Sequence, residues 1–157
     1  YKDLLSNRSF NFMTLSISCM VSEIFIILTL ISEILVPYGY TDHEASSMGF
    51  WGNLIGIIGG ICAAAYITKT DKYKFTSALL IIGTIFGTAG FQLSATYLDP
   101  KDYYWLTFTS LMVICFMNMG IQSYCLEYAV YLAPDIGESL SGGTVCQVFN
   151  IFAFIQL

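Results

Sequence analysis

The chain has 157 residues, of which 56% are apolar, 16% aromatic and only 11% charged. Soluble domains carry about 25% charged residues, so this composition excludes a dissolved globular domain. A net charge of −5 with six scattered basic residues leaves no footprint for nucleic acid.

The charges bracket long apolar windows. Ala45 to Thr68, Phe75 to Leu98 and Tyr103 to Leu126 are each 24 residues without a charge, and Ser139 to Leu157 is 19. A helix crossing a bilayer needs about 20 mostly apolar residues. A further window, Phe10 to Val36, is interrupted only by Glu23 and Glu33. A signal peptide has a single short apolar stretch and cannot account for five. The pattern predicts an all-α, polytopic membrane bundle, a single transmembrane domain over 1–157 with spans at about 10–36, 46–68, 75–98, 103–131 and 139–157.

In chain order, Tyr1 to Ser9 is a polar entry segment, and Pro37 stops the first helix. Ser46 and Ser47 are candidate N-caps for the second. The second and third spans are joined by Thr68-Lys69-Thr70-Asp71-Lys72, the third and fourth by Asp99-Pro100-Lys101-Asp102. Pro134-Asp135-Ile136-Gly137 separates the fourth from the fifth. Lys2, Arg8, Lys69, Lys72 and Lys74 fall on one side of five alternating crossings, and only Lys101 on the other. The basic side is expected to be cytoplasmic, or the equivalent face of an organelle. Gly52, Gly56 and Gly60, continued by Ala64, and Gly83 with Gly87 repeat the spacing that lets helix backbones approach closely in lipid. Glycine is also simply commoner in membrane spans.

No phosphate-binding, metalloprotease or hydrolase signature is present. His43 is the sole histidine and sits in a polar loop, and all five cysteines fall inside the predicted spans without a C-x-x-C pair. Neither an enzyme, a cofactor nor a metal site is expected.

Polar groups at membrane depth are costly and face cavities or partner helices. Ser18, Ser22, Phe25, Thr29 and Ser32 fall on one face of the first helix. Asn118 and Gln122 share a face of the fourth, and Gln147 and Asn150 a face of the fifth. These faces are either the walls of a solute pathway or sites of helix-to-helix hydrogen bonding. Glu23, at mid-helix, points away from the polar stripe of its own helix. It is either a proton or cation site or a structural residue bonded to a neighbour. Glu127 either pairs with Lys69, Lys72 or Lys74 as a gate latch or is a solvated charge.

Several stretches carry a family likeness. They are Asn7-Arg8-Ser9-Phe10, Pro37-Tyr38, Gly59 through Tyr73-Lys74, Glu127-Tyr128-Ala129-Val130, Ser141-Gly142 and Gln147-Val148-Phe149. With them the chain resembles the C-terminal half of a major facilitator superfamily transporter. The resemblance is strongest to the feline leukaemia virus subgroup C receptor-related (solute carrier 49) type. It implies two six-helix halves rocking around a central cavity, with the seventh to eleventh spans represented here. It further implies choline, ethanolamine or haem as the transported solute. Gln147 stands where the family has a cavity glutamine, and Phe25 where it has a cavity tyrosine, keeping the ring and losing the hydroxyl. Thr68 stands where an aspartate usually opens the Asp-Lys motif of the cytoplasmic loop, and Asp71 follows three residues later.

The combined expectation is a secondary transporter that moves a small organic solute by alternating access. Ser22, Phe25, Thr29, Asn118, Gln122 and Gln147 would line its path, and Glu23 is a candidate proton or cation site. Lys69, Asp71, Lys72, Lys74 and Glu127 would form its cytoplasmic gate. Membrane lipid and the solute are the expected partners. Five spans cannot enclose the cavity alone, so the other half is expected from further sequence or from partner subunits. The alternative is a truncated, transporter-like structural subunit of a larger membrane complex.

Overall fold

A computed structural model describes residues 8–132 and 138–156; residues 1–7, with Lys2 and Asn7, and the Pro134 to Gly137 turn lie outside them. The chain forms α1 (Arg8–Thr29), α2 (Ile31–Leu35), a 3-10 turn (Val36–Tyr38), α3 (Asp42–Thr70), α4 (Tyr73–Tyr97), α5 (Pro100–Leu132) and α6 (Glu138–Gln156). No strand occurs among the described residues. Arg8–Thr29, Asp42–Thr70, Tyr73–Tyr97 and Asp102–Leu132 are long and apolar enough to cross a membrane. The fifth expected span is a 19-residue helix, α6, that does not join those four. Gln147, Asn150 and Gln156 lower its hydropathy.

Two expected boundaries move. The span expected over 10–36 breaks at Leu30, where φ −101° and ψ 16° leave the helical region. One residue earlier, the Thr29 hydroxyl donates to the Phe25 carbonyl at 2.6 Å, a side-chain back-bond of the kind that bends helices. Ser32 therefore lies beyond the break, off the continuous stripe. The next helix is capped not by Ser46 or Ser47 but by Thr41. The Thr41 hydroxyl accepts from the Glu44 backbone N–H at 3.3 Å, and the Glu44 carboxylate accepts from the Thr41 N–H at 2.8 Å. This reciprocal pair fills two donors that the first turn otherwise leaves unsatisfied, and α3 starts about a turn early.

Between these helices Pro37 sits in the 3-10 turn and Gly39 adopts φ 97°, a left-handed conformation that glycine takes without steric cost. The reversal delivers Tyr40 into the bundle, where its hydroxyl meets Thr107 Oγ1 at 2.8 Å. At the other end Asp71 closes α3 in the left-handed region (φ 50°), donating its N–H to the Ile67 carbonyl at 2.9 Å. In α5, Tyr103 is non-helical (φ −119°, ψ 20°), so the regular helix begins after it, close to the expected start.

Helix α5 is the centre of the bundle, packing against α1, α3, α4 and α6. Its contacts with α3 and α4 depend on glycine. A Cβ on Gly52 would come within 2.9 Å of Cys115 Sγ, one on Gly56 within 2.8 Å of Met119, and one on Gly60 within 2.9 Å of Ser123 Oγ. On α4, a Cβ on Gly83 would come within 2.8 Å of Met117, and one on Gly87 within 2.9 Å of Ile114. The close packing read from the small-residue spacing is therefore real, and it includes Gly59, which that spacing skipped. Lipid tails are as apolar as side chains, so the gain is close dispersion contact rather than expulsion of water.

The buried apolar residues form two clusters along the axis. One, around Ala63, Ile67, Leu80, Cys125 and Val145, lies towards the basic end. The other, around Leu35, Tyr40, Met48, Leu111 and Cys115, lies towards the opposite end. The outer surface is strongly apolar, with Phe12, Phe86, Trp105 and Phe154 all exposed, as a surface facing acyl chains requires.

Candidate functional site

The polar stripe of α1 divides between Ser22 and Phe25. Ser18 and Ser22 are buried. The Ser22 hydroxyl shares its proton between the Cys19 carbonyl at 3.0 Å and Gln156 Oε1, in the last turn of α6, at 2.7 Å. Phe25 and Thr29, one and two turns further along the same face, are exposed. Ser22 thus joins two helices, while Phe25 and Thr29 present a ring and a back-bonded hydroxyl to open space.

Asn118 is buried between α5 and α1. Its Nδ2 donates to the Met20 carbonyl at 3.2 Å, whereas its buried Oδ1 has no partner among the described residues. Gln122, one turn on, is half-buried. Gln147 and Asn150 are exposed on α6, on the side opposite Val145 and Phe149, which face the bundle. Glu23 is exposed between buried Ser22 and buried Ile24, on the outward side of α1.

The structure does not bring the six expected path residues into one cluster. With Gln156 level with Ser22, Gln147 lies nine residues back along α6, which runs parallel to α1, and Phe25 three residues further on along α1. At about 1.5 Å of rise per residue, the two are separated by about 18 Å along the axis. Ser22 and Asn118 are sealed in helix interfaces in this conformation. Phe25, Thr29 and Gln147 are open.

The basic loop is arranged differently. Lys69, Asp71, Lys72 and Lys74 are exposed around the α3–α4 turn. A pocket of about 550 Å³ is lined by Asp71, Lys72, Tyr73, Lys74, Phe75, Tyr128 and Tyr131. Tyr73 lies against Tyr131 with ring centres 5.3 Å apart and against Tyr128 at 5.4 Å, and Tyr128 stacks on Tyr124 at 5.5 Å. Glu127, also exposed, lines a separate pocket of about 350 Å³ with Leu126, Val130, Ser139 and Gly142. Among the described residues no hydrogen bond or ion pair joins it to Lys69, Lys72 or Lys74. A smaller hollow of about 210 Å³ lies between α1, α4 and α5, lined by Ser16, Ser77 and Tyr124 among apolar neighbours.

Sequence reasoning missed the tyrosine group, although its signal was present. Tyr124, Tyr128 and Tyr131, spaced by four and three, must share a helix face. No group of three metal-binding side chains occurs among the described residues.

No family model matches the chain. It is similar along nearly its whole length to proteins named as choline/ethanolamine transporters. The relative flvcr2a of Danio rerio is 26% identical over 158 residues, covering 98% of this chain and 33% of that protein. FLVCR1 of Mus musculus is 24% identical over 155 residues, covering 96% and 27%. FLVCR2 of Homo sapiens is 21% identical over 157 residues, covering 98% and 29%. The chain thus spans about a third of the length of these relatives. Four membrane-length helices and relatives of this kind make the chain part of an integral, multi-pass membrane protein, a homologue of transporters of the feline leukaemia virus subgroup C receptor-related type.

Proposed function

We propose that this chain forms part of a secondary transporter for choline, ethanolamine or a closely similar amino alcohol, working by alternating access. The observation that carries the reading is the similarity of 96–98% of the chain to choline/ethanolamine transporters. The exposed Phe25 ring supports it, because an aromatic face attracts a quaternary ammonium through its quadrupole. Haem is the weaker candidate. The open faces offer one ring, a hydroxyl and amides, whereas His43, the sole histidine, is in the first turn of α3.

Phe25 with Thr29 and Gln147 with Asn150 act at different depths of one path, since a small solute cannot span about 18 Å. Ser22, Asn118 and Gln122 join the path as neighbouring helices part. Glu23, outward on α1, is the proton or cation site. On the basic side, taken as cytoplasmic, Glu127 leaves its pocket to pair with Lys69, Lys72 or Lys74 when the gate closes, and Asp71 shapes the turn that carries them.

The test is uptake of radiolabelled choline, ethanolamine and haem by cells making the full-length protein. Gln147→Ala is expected to cut amino-alcohol uptake at unchanged surface abundance. Haem uptake in place of choline and ethanolamine uptake would overturn the substrate reading.

A further inference from the structure

The pocket beside the α3–α4 turn has walls of two chemistries. Lys72 and Lys74, both exposed, bring two ammonium groups to its lining, and Tyr73, Phe75, Tyr128 and Tyr131 bring rings. Its volume, about 550 Å³, is of the size that holds a small ligand. Phe75 and Tyr131 stand on the outer rim, 58% and 64% exposed, at the ends of two membrane-length helices. Tyrosine rings such as Tyr131 at such ends sit at the level of lipid headgroups.

The first turn of α4 opens into the same place. Lys72, its N-cap residue, makes no side-chain cap hydrogen bond. Helix starts leave N–H donors over and carry partial positive charge. Asp71 puts one carboxylate on the pocket wall, so the local balance is two positive against one negative, with Lys69 a further positive group in the last turn of α3.

We infer that this pocket binds the headgroup of an anionic phospholipid. The phosphate oxygens meet Lys72, Lys74 and the first turn of α4, and the glycerol and upper acyl carbons lie against Phe75 and Tyr131. The rings distinguish such a ligand from a soluble phosphate, which would leave them uncovered. The neutral zwitterion phosphatidylcholine lacks the net charge that the lysines select. This inference stands on the pocket and not on the transport reading, and its readout is bound lipid rather than uptake, so the two fail separately.

The test uses purified full-length protein in detergent, offered dioctanoyl-phosphatidylserine, dioctanoyl-phosphatidylcholine or inorganic phosphate, with bound molecules counted by native mass spectrometry. Wild type is expected to retain phosphatidylserine in preference to phosphatidylcholine. K72Q/K74Q is expected to weaken phosphatidylserine retention roughly 25-fold, about fivefold for each lysine, and to leave phosphatidylcholine unaffected. Both lysines are exposed, so the variant keeps its fold. Y131A, which retains the lysines and removes a ring wall, is expected to weaken phosphatidylserine retention more than it weakens any retention of inorganic phosphate. Equal phosphatidylserine retention by wild type and K72Q/K74Q would overturn the inference. Displacement of phosphatidylserine by equimolar inorganic phosphate would also overturn it, assigning the pocket to a soluble phosphate instead.

Discussion

Gly59 of α3 lies directly on the backbone of Phe116 in α5: a Cβ at Gly59 would overlap the Phe116 carbonyl and come within 2.8 Å of its Cα. The obstructing atoms are main chain, so no rotamer change can relieve them. Gly59→Ala is expected to destabilise the protein by about 1–3 kcal/mol, the range for overpacking a close interface. Gly143, whose Cβ would meet nothing within 4 Å, is the control, and Gly143→Ala is expected to be neutral or mildly stabilising. Thermal unfolding of the purified full-length protein checks both. A Gly59→Ala melting temperature equal to wild type would mean that α3 and α5 are further apart than described.

The Tyr40 hydroxyl and Thr107 Oγ1 are buried against each other at 2.8 Å, tying the loop after α2 to α5. Tyr40→Phe or Thr107→Val leaves one buried hydroxyl unpaired, which costs about 1–3 kcal/mol. The double variant removes both groups and is expected to lose less than the sum of the single losses. Strict additivity of the three melting shifts would show that the pair does not interact.

Asn118 presents a separable case. Its Nδ2 donates to the Met20 carbonyl, and its Oδ1 is buried without a partner among the described residues. Interhelical bonds of this kind average about 0.6 kcal/mol, and removing an unsatisfied oxygen offsets part of that. Asn118→Leu is therefore expected to change stability by less than about 1 kcal/mol while sharply reducing uptake of amino alcohols. Uptake unaltered in Asn118→Leu would remove the residue from the path.

Phe25 tests the ring directly. Cation–π attraction is worth about 0.5–2 kcal/mol, so Phe25→Leu is expected to raise the KM for choline by about 2–30-fold. Because ammonium groups favour the face of Trp most, Phe25→Trp is expected to retain uptake. Equal choline KM values for Phe, Leu and Trp at this position would show that the ring makes no contact with the cation.

The sequence made the helices legible and left their azimuths hidden. Charge-free windows marked three of the four membrane-length helices, α3, α4 and α5, because a charge in lipid is costly whatever the neighbours are. The glycine spacing predicted close packing for the same local reason. Thr41 was readable too, since Thr41-x-x-Glu44 is a capping-box pattern, but adjacent serines at 46 and 47 drew the boundary inward. The polar faces were not legible in this way. Periodicity places Ser22, Phe25 and Thr29 on one side of α1 but says nothing about what stands opposite. The Gln156 amide of α6 makes Ser22 a joint, while Phe25, on the same face of α1, is exposed. Gln147 and Phe25 likewise differ in depth because of the stagger between the parallel helices α1 and α6 that Ser22 and Gln156 fix, which no single helix encodes.

The centrality of α5 has a mechanical consequence. Helices α3 and α4 meet it through glycines set against the Phe116 main chain and against Cys115, Ser123, Met117 and Met119, so the backbones interlock with little room to slide. Helices α1 and α6 share the Ser22–Gln156 hydrogen bond and a cluster with Phe10, Val145 and Phe149, and a Cβ on Gly142 or Gly143 of α6 would meet nothing closer than 3.7 Å. Motion in this bundle is thus expected to run along the seam beside α1 and α6, with α3, α4 and α5 travelling together as a mast.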